Sequence, residues 1–323
     1  WLSPLARRSP EGVTVHEAGH QFWYGLIANN EFEDAWLDEG FNTFSTTRTM
    51  EAAFPKRAHV QYYFDGHLPV VFKSVVPPER TAGSDQHVGQ YSKYKRDAQG
   101  ARSYQMGPQG YHVNAYDKGA MTLRTLENYL GWTVFQRVMS TYFRMFAFKH
   151  PRPENFVEVA EKISKQPLAW FFDQLSRDAI AFDYAVGKVQ SQPVVSRGYH
   201  PGEDGTLAVG DHEPEGETQY ETQIYIRRWG EGRFPVAVLA DFEDGTRKVF
   251  QWDGQDRWVE LSWTHPAKVT RVVVDPEHVL VLDTNFSNNS WLKDSKAPLA
   301  ATKWSSKWMV FLQHTMEALA LFS

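Results

Sequence analysis

Two histidines four residues apart, a glutamate between them and a second glutamate further on are the residues here whose types and spacing could do chemistry. His16-Glu17-Ala18-Gly19-His20 reads H-E-x-x-H, and eighteen residues later Glu39 stands within Trp36-Leu37-Asp38-Glu39-Gly40-Phe41. On an α-helix, positions i and i+4 differ by about 40° of rotation and one turn of rise, so His16 and His20 present two imidazoles from one face. Glu39, carried by a neighbouring helix, would add a carboxylate and leave the fourth position of a tetrahedral ion open for water. This donor set suits one Zn2+, although cobalt or manganese could also sit there.

Glu17 has a different task. It follows the first ligand and points off the histidine axis towards a water held by the metal, where a carboxylate can take a proton and later pass it to a leaving amine. The bland alternative is an exposed helix of ordinary polar residues, because H-E-x-x-H also arises by chance. The apolar neighbours Val13, Val15, Ala18, Phe22, Trp23 and Leu26 weigh against it. They predict a largely buried helix, in which an unpaired His-Glu-His cluster would be costly. Ser9-Pro10-Glu11 supplies an N-cap, a first-turn proline and an acid, so this helix is expected from Pro10 to about Ala28, ended by Asn29-Asn30. A second helix is expected from about Trp36 to Ala53. Asn42 and Thr43, one turn past Glu39, either steady the ligands or simply pack.

H-E-A-G-H followed by W-L-D-E-G-F resembles the gluzincin metallopeptidases, specifically the M1 aminopeptidases, and Tyr116-Asp117-Lys118-Gly119-Ala120 is similar to that family's Y-x-K-G-A motif. The resemblance runs from about residue 10 to about 185, with a weaker echo beyond. It implies a mainly α-helical, thermolysin-like catalytic domain (1–185), a small antiparallel β-sandwich (186–286) and a C-terminal helical segment (287–323). It further implies one catalytic Zn2+ on His16, His20 and Glu39, Glu17 as general base, and Tyr116 as hydrogen-bond donor to the oxyanion of the tetrahedral intermediate. From the residues alone, Tyr116 and Tyr111 are equal candidates for that donor; the motif selects Tyr116. Other cofactors are not expected.

Composition narrows the remaining classes. A length of 323 residues allows two domains or more, and 42% hydrophobic residues suffice for real cores. The formal charge of −5, with no basic run, argues against nucleic acid. There is no cysteine, which excludes disulfides and thiolate metal sites without fixing a compartment. No apolar run approaches the ~18 residues of a membrane span. Location stays open, with a lean to an extracytoplasmic or membrane-associated one. The remaining histidines form no second i+2 or i+4 pair, and no Ser-His-Asp set, phosphate loop or dinucleotide fingerprint appears.

Further along, residues 76–110 read as a long polar loop near the cleft, whose tyrosines either line a channel or pack. Helical spacing resumes at Tyr116 and recurs to about Leu175, with a break at Gly131. From about Ala185 the period changes: Thr222–Ile226, Pro235–Leu239, Lys248–Trp252 and Thr270–Val274 are β-rich, with Glu243-Asp244-Gly245 and Trp252-Asp253-Gly254 as hairpin turns. Residues 199–216 read as a mobile charged loop. After Asn288-Asn289, Trp304, Trp308, Phe311, Leu312, Met316, Leu319 and Phe322 form the stripe of a terminal helix expected to be buried.

In M1 relatives a G-x-M-E-N-type segment upstream of the zinc helix binds the substrate's α-amine. Because Trp1 lies only fifteen residues before His16, the chain is read as the C-terminal part of a longer protein, its cleft completed by an upstream region or a second chain. The expected partner is a peptide, with removal of N-terminal residues as the first hypothesis. An endopeptidase or epoxide-opening hydrolase, and a peptide-binding scaffold without turnover, are the alternatives.

Overall fold

The computed structural model describes residues 9–53, 97–177, 179–201, 206–212 and 218–294, with scattered positions from 298 to 316. The chain divides into two units: Trp1–Ala181 with Val279–Thr284 and Lys296–Ser323, and Phe182–His278 with Asn285–Ser295.

The first unit is helical. Ser9–Gly19 (α1) is followed by a short helix Glu31–Asp34 (α2), a 3-10 turn Ala35–Leu37 and the long helix Glu39–Ala53 (α3). Pro108–His112 (α4) runs through a π-helical stretch, Val113–Lys118, into Gly119–Leu130 (α5). Trp132–Phe146 (α6), Pro153–Ser164 (α7) and Ala169–Arg177 (α8) complete the set. Sequence explains their ends: Gly131 stops α5 at φ 78°, and Pro153 opens α7 beside a reciprocal Arg152–Asn155 cap. The core is aromatic. Phe41 on α3, Tyr142 on α6 and Phe156 on α7 are almost fully buried, and Phe41 lies 4.9 Å from Phe156 and 5.6 Å from Tyr142 between ring centroids. Arg48 and Arg124 share Glu127, and Arg124 also reaches Glu51 at 2.7 Å, which clamps α3 to α5.

Two expectations about the first helix are corrected. It ends at Gly19 rather than near Ala28. Past His20 the backbone bonds shorten and lengthen irregularly, Phe22 N–H to Gly19 O and Gly25 N–H to His20 O, and Tyr24 takes φ 88°. Trp23 is drawn instead to α3, where its ring sits 5.2 Å from Phe41 and its indole N–H donates to Ser45 Oγ at 2.9 Å. The helix is also not buried: Val13 is 58% exposed, and none of residues 10–19 is buried. Of the expected loop 76–110, the part up to residue 96 lies outside the described residues. The rest is anchored, with Gln99 N–H donating to Leu175 O and Ala35 N–H to Ser103 Oγ.

In the second unit, every strand pair is antiparallel. One sheet has the order β1 (Tyr184–Pro193), β4 (Tyr220–Arg228), β7 (Trp258–His265); the other has β6 (Arg247–Trp252), β5 (Val236–Phe242), β8 (Val269–Val274), β9 (Ser290–Leu292). Alternate residues Ile224 and Ile226, and Val238 and Ala240, are fully buried, as the period of a strand with one inward face requires. Glu243-Asp244-Gly245 does close the β5–β6 hairpin, but Trp252-Asp253-Gly254 instead carries the chain from one sheet to the other. The supposed mobile loop contains a paired hairpin, β2 (Ser196–Pro201) with β3 (Leu207–His212). Most of the terminal stripe lies outside the described residues; Leu312 and Met316, which are described, are exposed rather than buried. Among the described residues no helix is long and apolar enough to cross a membrane.

Candidate metal centre

The last turn of α1 and the first turn of α3 bring the donors together. His20 N–H still bonds to His16 O, so both imidazoles share a face, with ring centroids 4.8 Å apart and planes at 88°. Asn42, one turn past Glu39, donates its side-chain amide to His16 O at 2.7 Å. It approaches that closely because residue 19 is glycine, where a Cβ would fall 1.9 Å from Asn42 Oδ1. Asn42 therefore ties the two helices; Thr43 is buried without a side-chain hydrogen bond among the described residues.

His16 Nε2 lies 3.1 Å and His20 Nε2 3.4 Å from the same oxygen of Glu39, Oε2. A tetrahedral zinc with bonds of 2.0–2.2 Å has ligand atoms about 3.3 Å apart, which matches both histidine–glutamate distances, and all three donor atoms lie within 4.8 Å of one another, close enough to converge on a single ion. His20 also contacts Asp38 Oδ1 through Nδ1 at 2.8 Å, which orients the ring and leaves Nε2 facing Glu39. Burial raises the Asp38 carboxyl to about 7, against the lowering pull of His20. Burial also acts to raise Glu39, but hydrogen bonds from His16 and Tyr116 outweigh it and hold that carboxyl below its usual range. Asp38 was not singled out from the sequence. The available signal was an acid directly before a candidate ligand.

Tyr116 arrives on the π-helical stretch, a geometry that recurs at functional sites. Its hydroxyl donates to Glu39 Oε1, and its ring stacks between His16 (5.8 Å) and His112 (4.8 Å). Burial, then the bond to Glu39, pushes its phenol far above the ordinary range, so it stays a proton donor. Tyr111 is 6.3 Å away between rings and donates to Glu31 Oε1 at 3.3 Å, so the two candidate tyrosines bond to different carboxylates. The approach of the π-stretch depends on two facing glycines: a Cβ on Gly40 would meet Gly119 Cα and Ala115 O at 2.9 Å. Glu17 is exposed on α1 beside His16, with no ion pair among the described residues.

A cleft of about 480 Å3 is lined by residues including Glu31, Phe32, Tyr104 and Tyr111; His16, His20, Glu39 and Tyr116 do not line it, and Glu31 links it to the centre, its carboxylate oxygen lying within 4.8 Å of those of Asp38 and Glu39.

The Peptidase family M1 domain profile matches residues 3–175, more than half of the chain and all of the residues above. This chain belongs to peptidase family M1. Among the relatives of this M1 chain, Aminopeptidase M1-C of Oryza sativa subsp. japonica is 25% identical over 166 residues, covering 48% of this chain and 16% of its own length. Glutamyl aminopeptidase of Sus scrofa is 21% identical over 280 residues, 86% of this chain and 26% of that protein. The solved aminopeptidase A of Legionella pneumophila, in complex with aspartic acid, aligns over 85% of this chain and 27% of its own with a TM-score of 0.47 and 14% identity. The M1 chain thus spans about a quarter or less of the length of these curated relatives.

Proposed function

We propose that this M1 chain hydrolyses peptide bonds with one zinc ion on His16, His20 and Glu39, and that it removes residues from the N-terminus of peptides. The observation that carries this reading is the convergence of three donors within 4.8 Å, both histidines 3.1–3.4 Å from one Glu39 oxygen, with a tyrosine hydroxyl hydrogen-bonded to the other. Zinc, when bound, supplies Lewis-acid polarisation of the carbonyl and makes water acidic enough to attack near neutral pH.

The chain's own residues do the rest. Glu17 takes the proton of the attacking water and hands it to the leaving amine, for which its exposed position beside His16 is suited. Tyr116, held protonated, turns its hydroxyl from Glu39 to the developing oxyanion. Asp38 keeps His20 in one tautomer and orientation throughout. Removal of N-terminal residues specifically rests on the kinship with named aminopeptidases.

Purified protein loaded with zinc should release the first residue from free peptides and leave N-acetylated ones intact. Glu17→Gln should keep about one zinc and lose turnover, whereas His16→Ala should lose the zinc. Internal cleavage of N-acetylated peptides would make it an endopeptidase. Binding without any cleavage would make it a scaffold, and full zinc content in His16→Ala would overturn the ligand set.

A further inference from the structure

The cleft beside the metal centre holds an uneven charge. Glu33, on the same short helix α2, is neutralised by Arg102, while Glu31 has no ion-pair partner among the described residues and meets only the Tyr111 hydroxyl, at 3.3 Å. Its carboxylate oxygen lies within 4.8 Å of those of Asp38 and Glu39. A divalent ion on the triad balances the charges of Glu39 and Asp38 and leaves that of Glu31 over. Among the described residues no other charged residue lines the cleft.

The walls are aromatic. Phe32 (70% exposed) and Tyr104 (53%) stack at 4.9 Å with planes 17° apart, and Tyr111 stands beside Glu31. Faces of this kind suit a long aliphatic stem that ends in a cation, through contact with the methylenes and attraction of the charge to the rings. Distance agrees. One metal–oxygen bond of about 2 Å added to the carboxylate spacing puts Glu31 within roughly 7 Å of the metal, about the span of an extended Lys or Arg side chain.

We propose that this cleft is a subsite for the guanidinium or ammonium side chain of a residue flanking the scissile bond, with Glu31 as its counter-ion. The proposal rests on the peptidase reading for the scissile bond, but the binding it asserts is measurable without turnover. In the zinc-loaded Glu17→Gln protein, calorimetry with Arg-Ala and Ala-Arg dipeptides against their norleucine and glutamate counterparts should show at least one arginine peptide binding about tenfold tighter than its norleucine match, and glutamate weaker. Adding Glu31→Gln should abolish the preference while leaving norleucine affinity and zinc content as they were; adding Glu31→Asp should keep part of it. The arginine preference should survive N-acetylation. Equal affinities for arginine and norleucine, or a preference that persists in Glu31→Gln, would overturn the proposal. So would a preference lost on N-acetylation, which would assign Glu31 to the α-ammonium instead. If the Glu31-dependent preference holds while wild-type protein cleaves no peptide, the peptidase reading falls and the subsite stands.

Discussion

Replacing Gly40 with alanine tests how the tyrosine is held. The new Cβ would sit 2.9 Å from Gly119 Cα, 2.9 Å from Ala115 O and 3.2 Å from Gly119 C, all backbone atoms of the facing helix. Ordinary contact begins near 3.4 Å, and no side-chain rotation relieves backbone, so the π-stretch and α3 must part by about half an ångström or more. Overpacking of this kind costs about 1–3 kcal/mol, which should appear as a lower urea midpoint with an unchanged slope. The same displacement acts on the bond between Tyr116 and Glu39, since Glu39 and Gly40 are neighbours on one side and Ala115 and Tyr116 on the other. A misplacement of up to 1 Å can cost up to about 10²-fold in rate. Zinc content should stay near one, because two of the three proposed ligands, His16 and His20, come from α1 and are not displaced, and Glu39 shifts by only about half an ångström. The assays are urea unfolding, metal analysis and peptide hydrolysis on one preparation. A Gly40→Ala protein with wild-type midpoint and wild-type kcat would refute the claim that this contact sets the tyrosine.

Tyr116→Phe should lower kcat by about 10²–10³ with zinc retained, the scale of one oxyanion donor, whereas Tyr111→Phe should leave kcat within a few-fold; the reverse pattern would exchange their roles. Asp38→Ala should weaken zinc affinity by about 10–100-fold in a chelator competition, because His20 loses the group that orients it. Lys118 is fully buried, and burial draws its ammonium down to about 8 from 10.5. Below pH 8 both states hold the proton and the fold bears the whole cost. Between pH 8 and 10.5 the unfolded chain binds more protons, so stability should rise with pH by an amount on the order of 3 kcal/mol. Lys118→Met should remove that rise in urea titrations at pH 7 and 10; an identical pH dependence in both proteins would exclude the lysine as its source.

That His16, His20 and Glu39 meet was legible because the geometry is local: the two histidines share one helical turn, and Glu39 opens the next long helix. Tyr116 needed the motif, since nothing in spacing alone distinguishes it from Tyr111. What the sequence hid follows from side chains that serve two purposes. Phe22, Trp23 and Leu26 continue an apolar helical pattern, yet Trp23 packs on Phe41 in an irregular turn, so the pattern overstated the helix. Strand β1 opens the expected β-rich part without having been singled out in it, since a bulge between Val186 and Val189 breaks its alternation. The β2–β3 hairpin carries exposed Tyr199 and Leu207, and a strand with apolar residues in solvent gives no period-two signature of burial. Asp38 stood inside the motif and was read as part of its frame.

The π-helical run at Val113–Lys118 has a consequence of its own. Gly119 N–H bonds back to Asn114 O, five residues earlier, so this segment is an α-helix carrying a surplus residue. A residue turns an α-helix by about 100°, so the surplus gives Tyr111 and His112 an angular phase different from that of α5, whose face packs into the core through Met121, Leu123 and Leu126. The aim of the tyrosines and the register of the scaffold are thereby set independently. Deleting one residue between 113 and 118, Tyr116 excepted, would heal the helix and rotate Tyr111 and His112 away from their present partners, Glu31 and Tyr116.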